Sequence, residues 1–411
     1  MRYIYTGLDI GSNKIKICVC ELVNNKLNLL AQISTPSVGI KRGLITNAEA
    51  AISSLKKAFN QIEDKVGFKI NKVLVNIPVY KANFKVAKAS IKIQNIKSTI
   101  TGNDVRKVLT KTVKENVVEN FELATDLLID FKVDDKGGIK DPKGLLANNL
   151  EAKSLLALVP QKNLYSVATI LESIGIEIDD VTVSPVSDMA TFKTKAIESN
   201  ISALINVGYE TTLVSLYNKS ILVKNSVIPL GSQNIDSDLS YIYKIKEKDA
   251  INLKEKFVLA HKRNASVNEF YEVTNTLGEQ IKINQFEASE IVMARLEEIL
   301  TLARKEINNL TSNNIDYIII TGGTSNMLDF QNIINDVFGK KAILGNVKMI
   351  GLRDNSYSVA LGNVIQFINR LKLIDKNYTM IENDEKLDTK KGINISNDFM
   401  LSKVFDYFFS E

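Results

Sequence analysis

Two stretches of this chain run through the same order of elements, and that repeat limits the possible folds more than any other feature. Arg2–Ile10, Ile15–Leu22 and Leu27–Ile33 read as three strands joined by short turns rich in Gly, Ser and Asn. A helical pattern follows over Ala48–Val66, where Ile52, Leu55, Phe59 and Ile62 recur three or four apart. Then comes the apolar run Lys72–Val79, broken by Pro78. Much later, Ile201–Val207, Thr212–Tyr217 and Ile221–Ile228 again read as three strands. Phe286–Leu310 reads as a helix, and Tyr317–Ile320 as an apolar strand running into Thr321-Gly322-Gly323. The halves match even at their first turns, Asp9-Ile10-Gly11 against Asn206-Val207-Gly208. A twofold pseudo-repeat of this kind predicts two α/β layer units.

Composition mainly excludes. A length of 411 residues suits two to four domains, and 45% hydrophobic with 24% charged residues is a globular balance. The net charge is +5 and only eight of the 52 basic residues are Arg, which argues against a nucleic-acid partner. Cys18 and Cys20, the only cysteines, sit two apart in a strand-like run and face one way, so no disulfide framework is expected. His261 is the only histidine and lies in the polar run HKRN, where it reads as solvated; zinc and Ser-His-Asp chemistry are both disfavoured. The start lacks a signal-peptide pattern and no run of 18 apolar residues occurs, so a cytoplasmic chain that spans no membrane is expected.

Two segments fall outside the repeat. Phe84–Pro160 carries its own helix over Asn103–Glu119 and strands around Asp126–Val133 and Asn149–Leu158. Its apolar positions, among them Val105, Val108, Leu109, Val113, Leu127, Ile129, Phe131, Leu155 and Leu158, suffice for a small core. A second, more polar insertion spans Gly231–Gln285. After Leu373 the pattern gives way to a polar stretch, 374–397, which reads as a flexible linker reaching on the order of 25 Å. On a helix at 100° per residue, Met400, Leu401, Val404, Phe405, Tyr407, Phe408 and Phe409 then form one broad apolar face. The segment is too short to span a bilayer and reads as an interfacial membrane helix, or else as a last helix docked on the protein's own body.

The first turn has phosphate-binding chemistry. Gly11 lets the backbone approach, Ser12 and Asn13 offer N–H groups, Lys14 reaches the terminal phosphates, and Asp9 holds Mg2+ through its waters. A second turn from the other half, with the Gly-Gly strand end Thr321-Gly322-Gly323-Thr324 against the adenosine, would complete an ATP site. This layout resembles the actin-like ATPase superfamily, and the sequence closely resembles the FtsA family within it. The resemblance rests on Leu8-Asp9-Ile10-Gly11-Ser12, on Ser37-Val38-Gly39-Ile40-Lys41-Arg42-Gly43-Leu44-Ile45, and on Ile100-Thr101-Gly102-Asn103-Asp104-Val105. Ile139-Lys140-Asp141-Pro142-Lys143-Gly144-Leu145 and the hinge-like Tyr357-Ser358-Val359-Ala360-Leu361-Gly362 extend it over essentially the whole chain.

The resemblance implies an α/β, actin-like ATPase fold: two repeated ribonuclease-H-like domains around a nucleotide cleft, with an FtsA-type inserted subdomain. The implied division is 1–84 with 161–200 and 354–373, an inserted subdomain 85–160, 201–230 with 286–353, and a further subdomain 231–285. The linker 374–397 and a membrane-targeting helix 398–411 complete it. The implied cofactors are ATP and Mg2+. The implied nucleotide residues are Asp9, Gly11, Ser12, Asn13 and Lys14, then Gly208, Tyr209, Glu210, Thr211, Thr212 and Lys254, and last Gly322, Gly323 and Thr324. Asp9 and Asn206 stand at the metal, and Met400, Leu401, Val404, Phe405, Phe408 and Phe409 at the membrane. The implied role is a filament-forming division protein, polymerising head-to-tail, that tethers FtsZ to the inner face of the membrane at the septum and recruits later divisome proteins. It would be at most a slow ATPase.

Departures gather at the second turn. The family form D-I-G-G-G-T-T-D is here Asn206-Val207-Gly208-Tyr209-Glu210-Thr211-Thr212-Leu213, which loses a carboxylate and replaces two glycines with bulk, restricted φ and an anion. The family's A-E-x-x-K appears as Ala250-Ile251-Asn252-Leu253-Lys254, and the first hinge, Ser184-Pro185-Val186-Ser187-Asp188-Met189-Ala190, is more polar than usual. These changes keep two alternatives open: another actin-superfamily ATPase (a rod-shape or segregation filament, or a sugar kinase) and a nucleotide-independent adaptor.

Overall fold

The computed structural model describes residues 2–94, 99–116 and 119–381, so the membrane helix and most of the linker expected above lie outside the described residues. The chain divides into two compact units. One runs to Thr191 and adds Met349–Gly351 and the residues from Val359; the other holds Phe192–Lys348 and Leu352–Ser358.

In the first unit a five-stranded sheet runs in the order Glu177–Val183, Lys72–Ile77, Arg2–Ile10, Lys14–Val23, Lys26–Pro36. The last three strands form an antiparallel meander, and the first two join it in parallel. Ile4 to Ile10 are buried without alternation, as a central strand covered on both faces must be. Helix Ala48–Val66 packs on Lys14–Val23 and Lys26–Pro36 through Ala51, Leu55, Ala58, Phe59 and Ile62. It starts where the Asn47 side chain accepts a hydrogen bond from the Ala50 N–H, 3.1 Å. Helix Ser358–Leu373 lies against the first strand, with Phe367 edge-on to Tyr5 at 5.8 Å between ring centres.

The second unit repeats the sheet: Ile221–Ile228, Thr212–Asn218, Ile201–Val207, Tyr317–Thr321, Ala342–Leu344, again a three-strand meander followed by two parallel strands. Helix Gln285–Leu310 covers the meander, capped by the Asn284 side chain on the N–H groups of Phe286 and Glu287. The sequence repeat is thus a repeat of sheet topology. The Gly231–Gln285 insertion contributes Ile235, Leu239, Ile245, Ala250, Leu253 and Ile283 to the core of this unit. His261, expected to be solvated, instead has its Nε2 2.9 Å from Asp336 Oδ2 and accepts from the Arg263 N–H at Nδ1. Its side chain is only 13% exposed, because the ring caps the turn at Lys262–Asn264.

Within the first unit, the inserted segment folds as a four-stranded antiparallel sheet, ordered Asn83–Lys92, Asn149–Pro160, Phe121–Val133, Lys136–Ile139. Helix Gly102–Lys114 packs on it, started by a reciprocal cap between Thr101 and Asp104. Val105, Val108, Leu109, Phe131, Val133, Leu150 and Ala152 make its core. Leu373 and Ile374 pack against that core.

Residues 374–381, read above as the start of a flexible linker, are docked along the first unit. Lys143 Nζ donates to Lys372 O and to Asp375 Oδ1, both 2.7 Å. Tyr378 donates its hydroxyl to Asp179 Oδ2, 2.6 Å, and accepts from Lys72 Nζ, 3.0 Å. The Ile4 N–H donates to Thr379 Oγ1, and the Met380 N–H to Ile4 O. Polar composition marks a linker only when those groups have no partner to find; here side-chain and backbone acceptors supply them.

Arg370, on helix Ser358–Leu373 and 15% exposed, lies between two buried carboxylates, with Nη1 2.7 Å from Asp180 Oδ1 and Nη2 3.1 Å from Asp126 Oδ1 of the inserted sheet. One cation against two anions leaves excess negative charge in a dry place. Burial pushes the Asp180 carboxyl up to about 6 despite Arg370, and burial likewise raises Asp179 to about 6. A carboxyl that holds its proton more tightly folded than unfolded adds stability as pH falls through the folded value toward the unfolded one. Arg370→Met should therefore cost about 3–5 kcal/mol near pH 7.5, the penalty of stranded buried charge, and visibly less near pH 5.5. Urea unfolding at the two pH values measures the deficit, and an equal deficit at both would refute the assignment.

Candidate functional site

The first turn is built by the hairpin between Arg2–Ile10 and Lys14–Val23. Ile10 pairs with Ile15, so the chain reverses over Gly11–Lys14, and the Gly11 N–H donates to Lys14 O, 3.2 Å. A Cβ on Gly11 would stand 2.8 Å from that same oxygen, so the turn closes only around glycine. Asp9, expected at the metal, is buried, and its Oδ2 lies 2.8 Å from Lys16 Nζ. Ser12 Oγ accepts from the Gly43 N–H, 3.0 Å, and Asn13 O from the Ser37 N–H, 2.8 Å. These two bonds explain the Ser37–Ile45 motif: Ile40 and Lys41 pair with Ile45 and Leu44 around Arg42 and Gly43, both at positive φ, and this small hairpin braces the turn. Ser12, Asn13 and Lys14 are half-buried beside it.

The second turn reproduces the first. Val207 pairs with Thr212, the Gly208 N–H donates to Thr211 O, 3.0 Å, and a Cβ on Gly208 would again stand 2.8 Å from the carbonyl it bonds. Neither Tyr209 nor Glu210 has a positive φ, so the restriction expected from replacing two glycines does not arise. Gly208 O accepts from the Ser232 N–H, 3.0 Å, and from Thr324 Oγ1, 3.3 Å; Tyr209 O accepts from the Gln233 N–H, 2.8 Å. Thr212 is fully buried and donates its hydroxyl to Leu230 O, 2.9 Å. Gly322, at φ 96°, sits against Asn206, and Gly323 opens the short turn that buries Thr324 and Ser325. The structure therefore gathers Asn206, Gly208, Tyr209, Gly322 and Thr324 around one turn of the second unit.

Lys254 joins this group in an unexpected way. Its side chain is 7% exposed, its Nζ is 2.6 Å from Oδ1 of the fully buried Asp236, and it lies 5.8 Å from the centre of the Tyr209 ring. It also donates to Ser232 O, 3.4 Å. The Tyr209 hydroxyl reaches Glu247 Oε1 at 3.4 Å. Burial, with Asp236 and Glu247 next, raises the Tyr209 hydroxyl well above its usual value; burial pushes Asp236 up to about 6, against the pull of Lys254.

Sequence reasoning missed Lys16 and Asp236. Lys16 was legible, because a reversal over Gly11–Lys14 sets it opposite Asp9. Asp236 was not, because its partner sits on a different helix and no periodicity links the two. Among the described residues, no group of three or more His, Cys, Asp or Glu side chains could hold a metal ion. Two glycine turns with aligned backbone can hold anionic groups, and the first has Lys14 and Lys16 in or beside it.

A family model described as "Cell division protein FtsA" matches residues 203–362, and one described as "SHS2 domain inserted in FTSA" matches residues 82–157. Together they span more than half of the chain. The chain is 29% identical over 371 residues to cell division protein FtsA of Bacillus subtilis (strain 168), covering 89% of this chain and 84% of that one. It is 25% identical over 383 residues to the FtsA of Streptococcus pneumoniae (strain D39), covering 92% and 84%. Among solved structures, the PilM–PilN type IV pilus biogenesis complex aligns with a TM-score of 0.57 at 12% identity, over 88% of this chain and 98% of that one. MreB5 of Spiroplasma citri bound to ADP aligns with a TM-score of 0.53 at 14% identity, over 91% and 99%. These neighbours fix the fold as the actin-like ATPase fold, and with the inserted sheet and both family models the chain belongs to the FtsA family of cell division proteins.

Proposed function

We propose that this chain binds ATP through its two glycine turns, polymerises head-to-tail, and tethers FtsZ filaments to the inner face of the cytoplasmic membrane at the division septum, where it recruits later divisome proteins. The observation that carries the reading is the matched closure of the turns, Gly11 on Lys14 and Gly208 on Thr211, in a member of this family. A nucleotide-bound neighbour of the same fold adds support.

Mg2+ fits a donor set in which the nucleotide supplies most oxygens. Asp9 is the carboxylate at hand and already shares one oxygen with Lys16, so it would act on the ion's water shell; Asn206 adds no charge. Bound there, the ion would neutralise phosphate charge. The chain's own residues cradle phosphates and place Lys14 against them. With a neutral Asn206, and with Glu210 half-buried in the second turn, hydrolysis is slow and the protein is a scaffold first. A second reading, a nucleotide-independent adaptor, draws on one observation: Lys254 is already occupied by Asp236. The segment 398–411, outside the described residues, is proposed as the interfacial membrane anchor, strengthened by filament multivalency.

Three experiments test this. Lys14→Ala should weaken ATP binding by roughly 1.5–3 kcal/mol in a calorimetric titration, the worth of a charge-assisted hydrogen bond; identical binding by both proteins points to the adaptor instead. Turnover of the unaltered protein should stay under about 1 per second. In vesicle flotation, the full chain should bind and a truncation ending at Asn397 should not, with little sensitivity to salt. The anchor carries only Lys403 against Asp398, Asp406 and Glu411, so anionic lipid attracts it weakly. Equal flotation of both proteins would remove the anchor from the proposal.

A further inference from the structure

We propose that Asp236 restrains nucleotide binding from within, by holding the Lys254 ammonium in a buried ion pair beneath Tyr209 and so withholding it from ATP. The inference rests on the ATP-binding reading and concerns the regulation of that same site.

Three features converge on it. The pair is buried on both sides: Asp236 is 0% exposed, Lys254 is 7% exposed, and the closest approach is 2.6 Å. An ammonium in contact with a carboxylate in a dry place has its charge cancelled. Turning it toward a phosphate or a hydroxyl would strand Asp236 as an unpaired buried anion, so the pair resists opening. Asp236 depends on the Lys254 charge, since neither carboxylate oxygen receives a well-directed hydrogen bond among the described residues. Opening the pair therefore carries a cost that any ligand drawing on Lys254 has to meet.

The second feature is Tyr209. Its ring lies over Lys254 and its hydroxyl reaches Glu247, at the start of the helix Glu247–Lys256 that carries Lys254. A glycine at this position would leave the ammonium without that cover. The third is the connection to the phosphate turn. Gly208 O and Tyr209 O accept the first N–H groups of helix Ser232–Tyr243, and Asp236 stands one turn along that helix. The pair, the helix and the turn form one hydrogen-bonded block, so the state of the pair is felt where phosphates would bind.

The test uses the full chain and ATP with Mg2+, titrated by calorimetry against the unaltered protein, Asp236→Asn, Asp236→Asn/Lys254→Met and Lys14→Ala. Asp236→Asn keeps the shape and removes the charge, and should tighten ATP binding at least fivefold. Adding Lys254→Met should return the affinity to near its starting value, a reversal that a merely structural Asp236 would not produce. If Asp236→Asn fails to give a cooperative thermal transition, Asp236→Thr, whose hydroxyl can still accept from Lys254, replaces it. Unchanged or weaker binding by a folded neutral variant, with the Lys14 dependence intact, overturns the inference alone. Tightening that survives Lys254→Met overturns it too. No ATP binding by any of the proteins overturns the ATP-binding reading and this inference with it.

Discussion

The contact on which the first unit depends is the seating of helix Ser358–Leu373 against the central strand and against helix Ser184–Phe192. At Gly362 the helix comes so close to the Ser187 carbonyl that no Cβ would fit, and the neighbouring Asn363 uses that proximity. Its amide donates to Leu8 O, 2.9 Å, and its Oδ1 accepts from Ser187 Oγ, 2.6 Å. Leu8 immediately precedes Asp9, so the residue that positions the first turn's carboxylate is held by an amide from the far end of the chain. The polar character of Ser184–Ala190 follows from this: Ser187 is fully buried and its hydroxyl is needed for Asn363. Further along the same helix, Phe367 packs on Tyr5 and Arg370 reaches Asp180 and Asp126. One helix therefore fixes strand, turn and inserted sheet together.

Buried charge is handled in two ways. Arg370 is largely buried, 15% exposed, and serves two carboxylates, a structural clasp between the inserted sheet and the strand Glu177–Val183. Lys254 is enclosed more fully, 7% exposed, and pairs with Asp236 beside a turn whose backbone suits an anion. Replacing the first with apolar groups would change what the inserted domain leans on, whereas changing the second alters how much positive charge the second turn can offer. Burial raises Asp179, Asp180 and Asp236 alike to about 6, so all three store part of their cost as proton affinity.

Local pattern carried the sheet and helices well, because strand alternation and helical spacing are local properties. Ala48–Val66 begins and ends where Asn47 and Gly67 cap it, and both residues are visible in the sequence. The doubled sheet order was legible from repeated element order, and the inserted domain from its separate apolar set. What failed were judgements that equate polarity with exposure. Tyr378 and Thr379 sit in a polar run yet dock, since Asp179, Lys72 and the backbone of Ile4 are waiting for them. His261 is polar and alone in its type, yet it caps a turn and pairs with Asp336. Each partner lies far away in sequence, where no window of local spacing can see it.

The two turns show which part of a motif is chemistry and which is geometry. Closure depends on one glycine, Gly11 or Gly208, whose missing Cβ makes room for a carbonyl three residues on; the residues between need only ordinary negative φ. Tyr209 and Glu210 can therefore replace glycine without distorting the backbone, and the second turn keeps its shape while its surroundings change. What differs from the family motif is charge and access instead: Asn206 in place of a carboxylate, and an aromatic ring over Lys254, which Asp236 pairs. A turn whose shape persists while its charges are rearranged has kept the frame for an anion and lowered the pull on it. Geometry and charge are thus separable at this turn: one glycine sets the backbone, and the residues around it set the field that an anion there would meet.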